Sequence, residues 1–248
     1  MTDVHAAARA RGDERFRLVR EMFSGIAPSY ERVNSVVSLG LDRPWRRRLA
    51  DRLEPLEGRR VLDSCCGTGD LGRLIGSRGA QVLGVDACRA MLLHGQPGPG
   101  GARIEGDAQA LPVATDAVDA ACVAFGLRNL VEPVRGLAEM ARVVRPGGRV
   151  IVLEFGQPRQ PLLASLHGFY TGRVLPFVGD LISGRPGTYR YLPDTISRWP
   201  PPDELEQMMS SVGLADIEHE ALSGGIAWLH HGRVGATAST TTEEEGND

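Results

Sequence analysis

A doubly wound α/β domain, its sheet mostly parallel and covered by helices on both faces, is the fold this sequence predicts. Three observations carry that expectation. Short apolar runs alternate with helical stretches between residues 60 and 155, the pattern of repeated βαβ units. The first run passes directly into a glycine turn, Gly67-Thr68-Gly69, and then a helix. Three of the runs carry an acid at or near their ends: Asp63, Asp86 and Asp107. Ligands on such sheets bind at the carboxyl ends of the strands, so all three acids belong to one binding edge.

Residues 1–15 lack a clear apolar stripe and read as a frayed, disordered start. Phe16, Val19, Met22 and Phe23 then fall on one helical face. Tyr30, Val33 and Val37 resume after the break at Pro28, and Trp45, Leu49 and Leu53 mark a third helix. These helices, residues 16–55, precede the first strand and are expected to cap one side of its mouth. Strands are expected at 60–65, 81–86, 103–107, 117–125 and 149–155, with helices at 70–77, 90–94 and 133–144. Residues 156–202 hold scattered prolines and the aromatics Phe169, Tyr170, Tyr189, Tyr191 and Trp199, which predicts an inserted helical lid and not a second domain. A helix at 203–212 and a closing antiparallel pair, 214–222 and 226–234, complete one domain spanning 16–234. Residues 235–248, rich in Thr and Glu, read as a disordered acidic tail.

At 248 residues the chain is long enough to bury a sizeable core, and its 42% hydrophobic and 24% charged residues are ordinary for a globular domain. A formal net charge of −3 offers no electrostatic footprint for nucleic acid. The four cysteines, Cys65, Cys66, Cys88 and Cys122, form no C-x-x-C pair and read as reduced thiols of a cytoplasmic protein, with no metal site expected. No apolar run reaches membrane-spanning length, and none reads as a signal peptide.

Gly67-Thr68-Gly69-Asp70-Leu71-Gly72 satisfies G-x-G-x-x-G, which alone fits a dinucleotide. Asp63 shifts the balance. A carboxylate just before the glycines repels a pyrophosphate and suits a cationic ligand such as S-adenosylmethionine, with its sulfonium and amino group. The plain alternative is a glycine turn capped by Asp70. Asp86 is placed to accept hydrogen bonds from both hydroxyls of an adenosine ribose, or else to cap the turn at Ala87. Asp107 and the backbone N–H of Ala108 suit an adenine amino group and ring nitrogen, or else Asp107 caps a loop. Arg128 and Asn129, in Phe125-Gly126-Leu127-Arg128-Asn129, would enter the crevice beside the ligand. An arginine there stabilises a developing phenolate, or pairs at the surface with Glu132 or Glu139; spacing leaves both open.

With these residues in place, the chain resembles the ubiquinone/menaquinone biosynthesis C-methyltransferases of the UbiE/MenG type. The matching runs are Ala27-Pro28-Ser29-Tyr30 with Asn34, the turn at 62–71, Gly106-Asp107-Ala108-Gln109-Ala110-Leu111-Pro112, Phe125-Gly126-Leu127-Arg128-Asn129, Arg145-Pro146-Gly147-Gly148-Arg149 and Tyr189-Arg190-Tyr191-Leu192. The resemblance implies a class I S-adenosylmethionine-dependent methyltransferase fold, Rossmann-like, with a mostly parallel seven-stranded sheet. It implies S-adenosylmethionine as methyl donor, no metal, and a demethylmenaquinol-like ring as acceptor. Position by position, it implies donor contacts at Gly67, Thr68, Gly69, Asp86, Asp107, Ala108 and Ala124, the last where some members carry serine. It implies catalysis by Arg128 and Asn129, and acceptor contacts at Tyr30, Asn34, Tyr189 and Tyr191. Asp42 stands where histidine is common in the family.

The expected reaction is methyl transfer from a sulfonium to a ring carbon. A hydroquinone carbon becomes nucleophilic as the neighbouring hydroxyl loses its proton, so the site must align the donor, stabilise phenolate and exclude water. Three rivals remain. A NAD-dependent oxidoreductase is disfavoured by Asp63. A donor-binding scaffold in a quinone-biosynthesis complex would not need Arg128-Asn129. C- or O-methylation of a specialised aromatic metabolite shares the chemistry with a different ring. The lid residues Leu175, Phe177, Val178, Leu181 and Ile182 would either meet a polyprenyl tail or pack the lid onto the domain. Arg46-Arg47-Arg48 would either touch anionic lipid or form a solvated helix face. The expected partners are a polyprenyl quinol or other aromatic small molecule and no nucleic acid. Peripheral contact with the inner face of the membrane and a homodimer are both compatible with this chemistry.

Overall fold

The computed structural model describes residues 10–184 and 187–235. Seven strands form one sheet: β1 Arg60–Ser64, β2 Gln81–Asp86, β3 Ala102–Glu105, β4 Val118–Ala124, β5 Val144–Phe155, β6 Leu214–Leu222 and β7 Ala227–Val234. Their order is β3-β2-β1-β4-β5-β7-β6. The first five are parallel, and β7 pairs antiparallel with both β5 and β6. The chain runs outward from β1 to β3 on one side and from β4 to β5 on the other. That reversal opens a crevice at the carboxyl ends of β1 and β4, where open sheets bind ligands.

The helices are α1 Gly12–Ile26, α2 Tyr30–Val37, α3 Asp42–Leu53, α4 Asp70–Gly76, α5 Arg89–His94, α6 Pro133–Val143, α7 Pro161–Phe169, α8 Leu175–Ser183, α9 Tyr191–Arg198 and α10 Pro202–Ser211. Alternate residues of the strands feed two core layers. On one face Trp45, Leu49 and Leu53 of α3 and Ile75 of α4 pack against Val61, Val82, Cys122, Ile151 and Leu229. On the other, Leu137 and Met140 of α6 and Leu205 and Met209 of α10 pack against Leu62, Val85, Ala121, Val123 and Val152. Burial on both faces is why the parallel strands read as continuous apolar runs.

The sequence expectation needs three corrections. Helix α1 starts at Gly12, inside the 1–15 segment expected to be disordered, and Ala10 packs beside Leu18, Met22 and Tyr191. A partner as remote as Tyr191 leaves no local trace. Strand β3 ends at Glu105, so Asp107 lies in the following loop. The Pro146-Gly147-Gly148 turn falls within the span of β5, where Gly147 has φ 77° and the pairing with β4 shifts register between Val118 and Ala120. Of the closing pair, the later strand sits inside: Ala227 to His230 are all buried, whereas β6 is largely exposed and forms the edge. The expectations for residues 1–9 and 236–248 lie outside the described residues.

The segment 156–202 forms the expected helical layer. It comprises α7, a π turn at Tyr170–Val174, α8, a 3-10 turn at Thr188–Arg190, and α9. Leu175 and Tyr189 pack against Ile26, Val33 and Val37 of the leading helices, so lid and cap share one core above the strand ends. Among the described residues no helix is long and apolar enough to cross a membrane.

Candidate active site

Two cavities meet over the carboxyl ends of β1, β2 and β4. The first is lined from below by Cys65, Gly67, Asp86, Asp107, Ala108, Ala124, Gly126 and Asn129. Phe16, Val19, Arg20 and Phe23 of α1 cover it. Three apolar members of that helical face, Phe16, Val19 and Phe23, thus line a cavity, while Leu18, Met22 and Ile26 are the buried residues of the helix. The adjacent strand ends are strained. Cys65 and Phe125, neither a glycine, have φ of 54° and 62°. A Cβ on Gly126 would come within 2.4 Å of the Cys65 Cβ, so only glycine lets these two turns press together.

Asp86 accepts the Gly67 N–H at Oδ2 and the Cys88 N–H at Oδ1, both at 2.8 Å. Burial pushes its pKa up, against those two N–H groups, which favour the charged form. Two backbone bonds leave about half of a carboxylate's acceptor capacity, enough for a pair of ribose hydroxyls. The turn-capping bonds therefore leave room for the expected ligand role. Asp107 accepts the backbone N–H of Gln109 at 2.9 Å and is also reached by the Gln109 amide. The Gln109 Oε1 in turn accepts the Glu132 N–H at 2.7 Å, tying this loop to the start of α6. Sequence reasoning missed Gln109 as an organiser, although it lies within the Gly106-to-Pro112 run.

Asp63, Thr68 and Gly69 are not among the residues lining the first cavity. Asp63 shares a sheet face with Val61, so its side chain goes beneath α4 instead of over the strand ends. It is 2% exposed, lines a small void with Gly72, Val82 and Arg103, and its Oδ2 has no partner among the described residues. Burial, reinforced by Asp86 and opposed by Arg46, pushes the Asp63 pKa up to about 7. Thr68 is buried, and its carbonyl accepts from Arg73 and Arg103.

The second cavity has a volume of about 270 Å³. Its walls are mostly apolar, with contributions from Ile26, Trp45, Phe155, Leu163, Tyr170 and Ile226. Phe23, Tyr30 and Phe125 line both cavities and mark where they adjoin. Tyr30, Asn34, Tyr189 and Tyr191 all line the second one, so the structure brings the four expected acceptor residues together. Burial pushes the phenols of Tyr30, Tyr189 and Tyr191 up from their ordinary value.

Arg128 lines the same cavity, with a partner the sequence did not suggest. Its Nη1 donates to Glu154 Oε2 at 2.7 Å and to the Phe125 carbonyl at 2.6 Å, and its backbone N–H donates to Glu154 Oε1 at 3.2 Å. The guanidinium lies 5.1 Å from the Phe155 ring centroid. Glu139 instead accepts from Arg142 and from the Leu111 N–H. The Asn129 amide donates to the Phe125 carbonyl at 3.2 Å and its Oδ1 accepts the Tyr191 hydroxyl at 3.1 Å. Asn129 thus lines the first cavity while bonded to Tyr191.

The Arg46-Arg47-Arg48 run is neither a uniform solvated face nor a uniform lipid contact. Residues one apart on a helix point about 100° apart. Arg46 turns into the second cavity and stacks 5.5 Å from the Phe125 ring centroid; Arg48 pairs with Glu220; Arg47 is exposed. Arg46 also donates to Asp42, which accepts from Ser38 as well. Asp42 and Arg46 are functional candidates that the sequence alone did not reveal.

A cavity at the β1–β4 reversal, adjoining a second cavity beneath a helical layer, is the arrangement of class I S-adenosylmethionine-dependent methyltransferases. Solved structures share the fold. A SAM-dependent methyltransferase from Thermotoga maritima matches with a TM-score of 0.62 at 18% identity, over 86% of this chain and 99% of that one. The [4+2]-cyclase SpnF matches with a TM-score of 0.63 at 16% identity, over 88% and 96%. The chain belongs to the ubiE/COQ5 methyltransferase family, whose model matches residues 9–234. It is 38% identical over 232 residues to the ubiquinone/menaquinone biosynthesis C-methyltransferase UbiE of Geobacter sulfurreducens, covering 90% of each chain. It is 40% identical over 226 residues to the demethylmenaquinone methyltransferase of Paenarthrobacter aurescens, covering 91% of this chain and 88% of the relative. The protein is a S-adenosylmethionine-dependent methyltransferase.

Asp86→Ala is expected to weaken S-adenosylmethionine binding by about 1.5–3 kcal/mol, the worth of a hydrogen bond to a charged group. Calorimetric titration of the folded variant checks this, and unchanged affinity removes Asp86 from the donor site.

Proposed function

We propose that the protein methylates a ring carbon of a demethylmenaquinol-like polyprenyl hydroquinone in menaquinone or ubiquinone biosynthesis. The observation that carries this is the apolar acceptor cavity of about 270 Å³, which adjoins the donor pocket at Phe23, Tyr30 and Phe125. When bound, S-adenosylmethionine supplies the methyl group on a sulfonium leaving group. Asp86, Asp107 and Ala108 hold the donor, and the strained Cys65 and Phe125 turns fix the floor on which it rests. Tyr30, Asn34, Tyr189 and Tyr191 position the ring. Arg128, held by Glu154, places positive charge beside the forming phenolate, and Asn129 links the donor pocket to the lid through Tyr191. The lid and cap exclude water. The deciding experiment is methyl transfer to a short-chain demethylmenaquinol under reducing conditions, compared with a tail-less hydroquinone. Turnover of the tail-less ring at equal kcat/KM favours a soluble aromatic acceptor instead.

The bilayer is the source of such a substrate, and the surface around the cavity suits it. Leu39, Leu162, Leu166, Phe169, Phe177 and Leu181 are each more than half exposed. They sit at the α2–α3 turn, on α7 and on α8, and Leu39 and Leu166 also line the acceptor cavity. An apolar patch continuous with a cavity mouth marks an interaction site. Phe177→Asp with Leu181→Asp is expected to abolish co-sedimentation with phosphatidylcholine/phosphatidylglycerol vesicles while leaving the melting temperature within error. Unchanged sedimentation assigns the patch to another contact.

A further inference from the structure

We infer that Asp42 is the base that receives the acceptor's phenolic proton, with Ser38 and Arg46 holding its carboxylate; this rests on the hydroquinone reading above. Among the described residues, Asp42 is the only carboxylate lining the acceptor cavity. Its side chain is 11% exposed. Oδ1 accepts the Ser38 hydroxyl at 2.8 Å and Oδ2 accepts Arg46 Nη1 at 2.5 Å. Each oxygen therefore retains a lone pair for a further proton donor. The carboxylate is oriented from two sides and still able to act.

The other groups at the cavity are poorer bases. Arg46 and Arg128 offer donors and no acceptor. Burial raises the phenols of Tyr30, Tyr170, Tyr189 and Tyr191, which keeps them neutral. Glu154 does not line the cavity and already accepts from the Arg128 side chain, the Arg128 N–H and the Phe155 N–H. Asp70, on α4, also interacts with Asp42 and Arg46 but pairs with Arg73. His167 is the one competitor. Burial lowers its pKa, yet among the described residues its ring has no hydrogen-bond partner to fix its tautomer.

The pair with Arg46 also resolves the charge problem. Arg46 lies over Phe125, which lines both cavities. As the phenolic proton moves to Asp42, the cation that Asp42 held is released towards the phenolate. One ion pair replaces another, and no uncompensated charge forms in a water-poor cavity. A carboxylic acid is a far stronger acid than a phenol, so the transfer proceeds as the methyl group is taken. The O–H electron pair moves into the ring, the ring carbon forms the new C–C bond, and the C–S electron pair leaves with sulfur. Asp42 returns its proton to the oxygen and, a carboxylate again, takes the hydrogen of the tetrahedral ring carbon as a proton, which it gives up to solvent as the product leaves. The net change is one methyl gained and one proton released.

The test uses the full chain with saturating S-adenosylmethionine and a short-chain demethylmenaquinol, measuring kcat and KM against pH, donor affinity and melting temperature. Asp42→Asn is expected to lower kcat at pH 7 on the order of 10²-fold. Donor affinity and KM stay within a few-fold, and the deficit shrinks towards pH 10 as the hydroquinone ionises unaided. Asp42→His restores a base, and its activity is expected to recover to within about tenfold of wild type, with the acidic limb moved towards 6.5. Asp42→Asn turnover near wild type overturns the inference, as does a deficit that persists at high pH together with an inactive, folded Asp42→His. An alkaline-rescued deficit in His167→Asn but not in Asp42→Asn transfers the role to His167. A wild-type protein that does not methylate the quinol overturns the hydroquinone reading and this inference with it, whereas failure of the variants alone overturns only the base.

Discussion

Glu154→Ala is expected to destabilise the protein by about 3–5 kcal/mol, the usual consequence of leaving one member of a buried ion pair alone. For a chain of this size that corresponds to a fall in melting temperature of roughly 6–20 °C. The Arg128 and Glu154 side chains are 6% and 1% exposed, so water cannot replace a lost partner. The Arg128 Nε is already buried without a hydrogen-bond partner, and the guanidinium has no slack to absorb another loss. Arg128→Ala strands Glu154 in the same way. A Glu154→Leu/Arg128→Met double variant removes both charges and is expected to recover most of the stability, because apolar residues of similar volume commonly substitute for a buried pair without penalty. Urea unfolding of the three variants checks the pattern. Recovery in the double variant also makes the role of Arg128 in turnover measurable in a folded protein. Loss of the guanidinium is expected to lower kcat on the order of 10²-fold with donor affinity near wild type, since it acts on charge that appears only as the phenol ionises. A double variant that turns over normally would confine Arg128 to bracing the ends of β4 and β5 through the Phe125 carbonyl.

What was legible in the sequence has a common physical origin. Buried parallel strands produce unbroken apolar runs, and a glycine turn at a strand end has a local signature. The sheet, the turn at Gly67 and the placement of Asp86 beside it were therefore readable from short windows. The partner of Arg128 was not, because Glu154 lies on the neighbouring strand, 26 residues away, and pairing across a sheet leaves no periodicity. The inward turn of Arg46 was hidden for a different reason. Three consecutive arginines have the composition of a solvated face, and only the helix phase, set by Trp45 and Leu49 packing inward, aims one of them at the cavity. Asp63 shows the limit of reading a motif by residue type. Its acidity suggested a ligand contact, but the strand's two-residue alternation sends the side chain to the α4 face. The order of β6 and β7 depended on which strand is apolar on both faces, a comparison between segments that neither reveals alone.

Asp63 also gives the largest expected pH effect. Its pKa is about 7 in the folded protein, against about 3.9 unfolded. Between these values the folded state keeps a proton that the unfolded state has lost, so the folded state binds more protons and stability falls as pH rises. Three units correspond to about 4 kcal/mol, present below pH 4 and lost by pH 7 to 8. His230 works in the opposite direction. Burial depresses it to about 4, so it stays neutral in the fold while the unfolded chain protonates below 6.5, and its contribution is lost as pH falls. The two slopes oppose each other between pH 4 and 6.5, and a wild-type stability profile alone conceals both. The informative quantity is the difference between Asp63→Asn and wild type, in which His230 cancels. Asparagine retains an acceptor for the Gly72 N–H that favours the Asp63 carboxylate. It leaves amide donors in the small void, an offset that does not change with pH. The variant's stability relative to wild type is expected to climb by about 4 kcal/mol from pH 4 to pH 8 and to be level above that. Urea unfolding of both proteins across this range checks it, and a flat difference would show that Asp63 ionises freely in the fold. Donor titration on the same samples separates stability from binding. Affinity within a few-fold of wild type fits a carboxylate beneath α4, whereas a loss as large as that expected for Asp86→Ala would return Asp63 to the donor site.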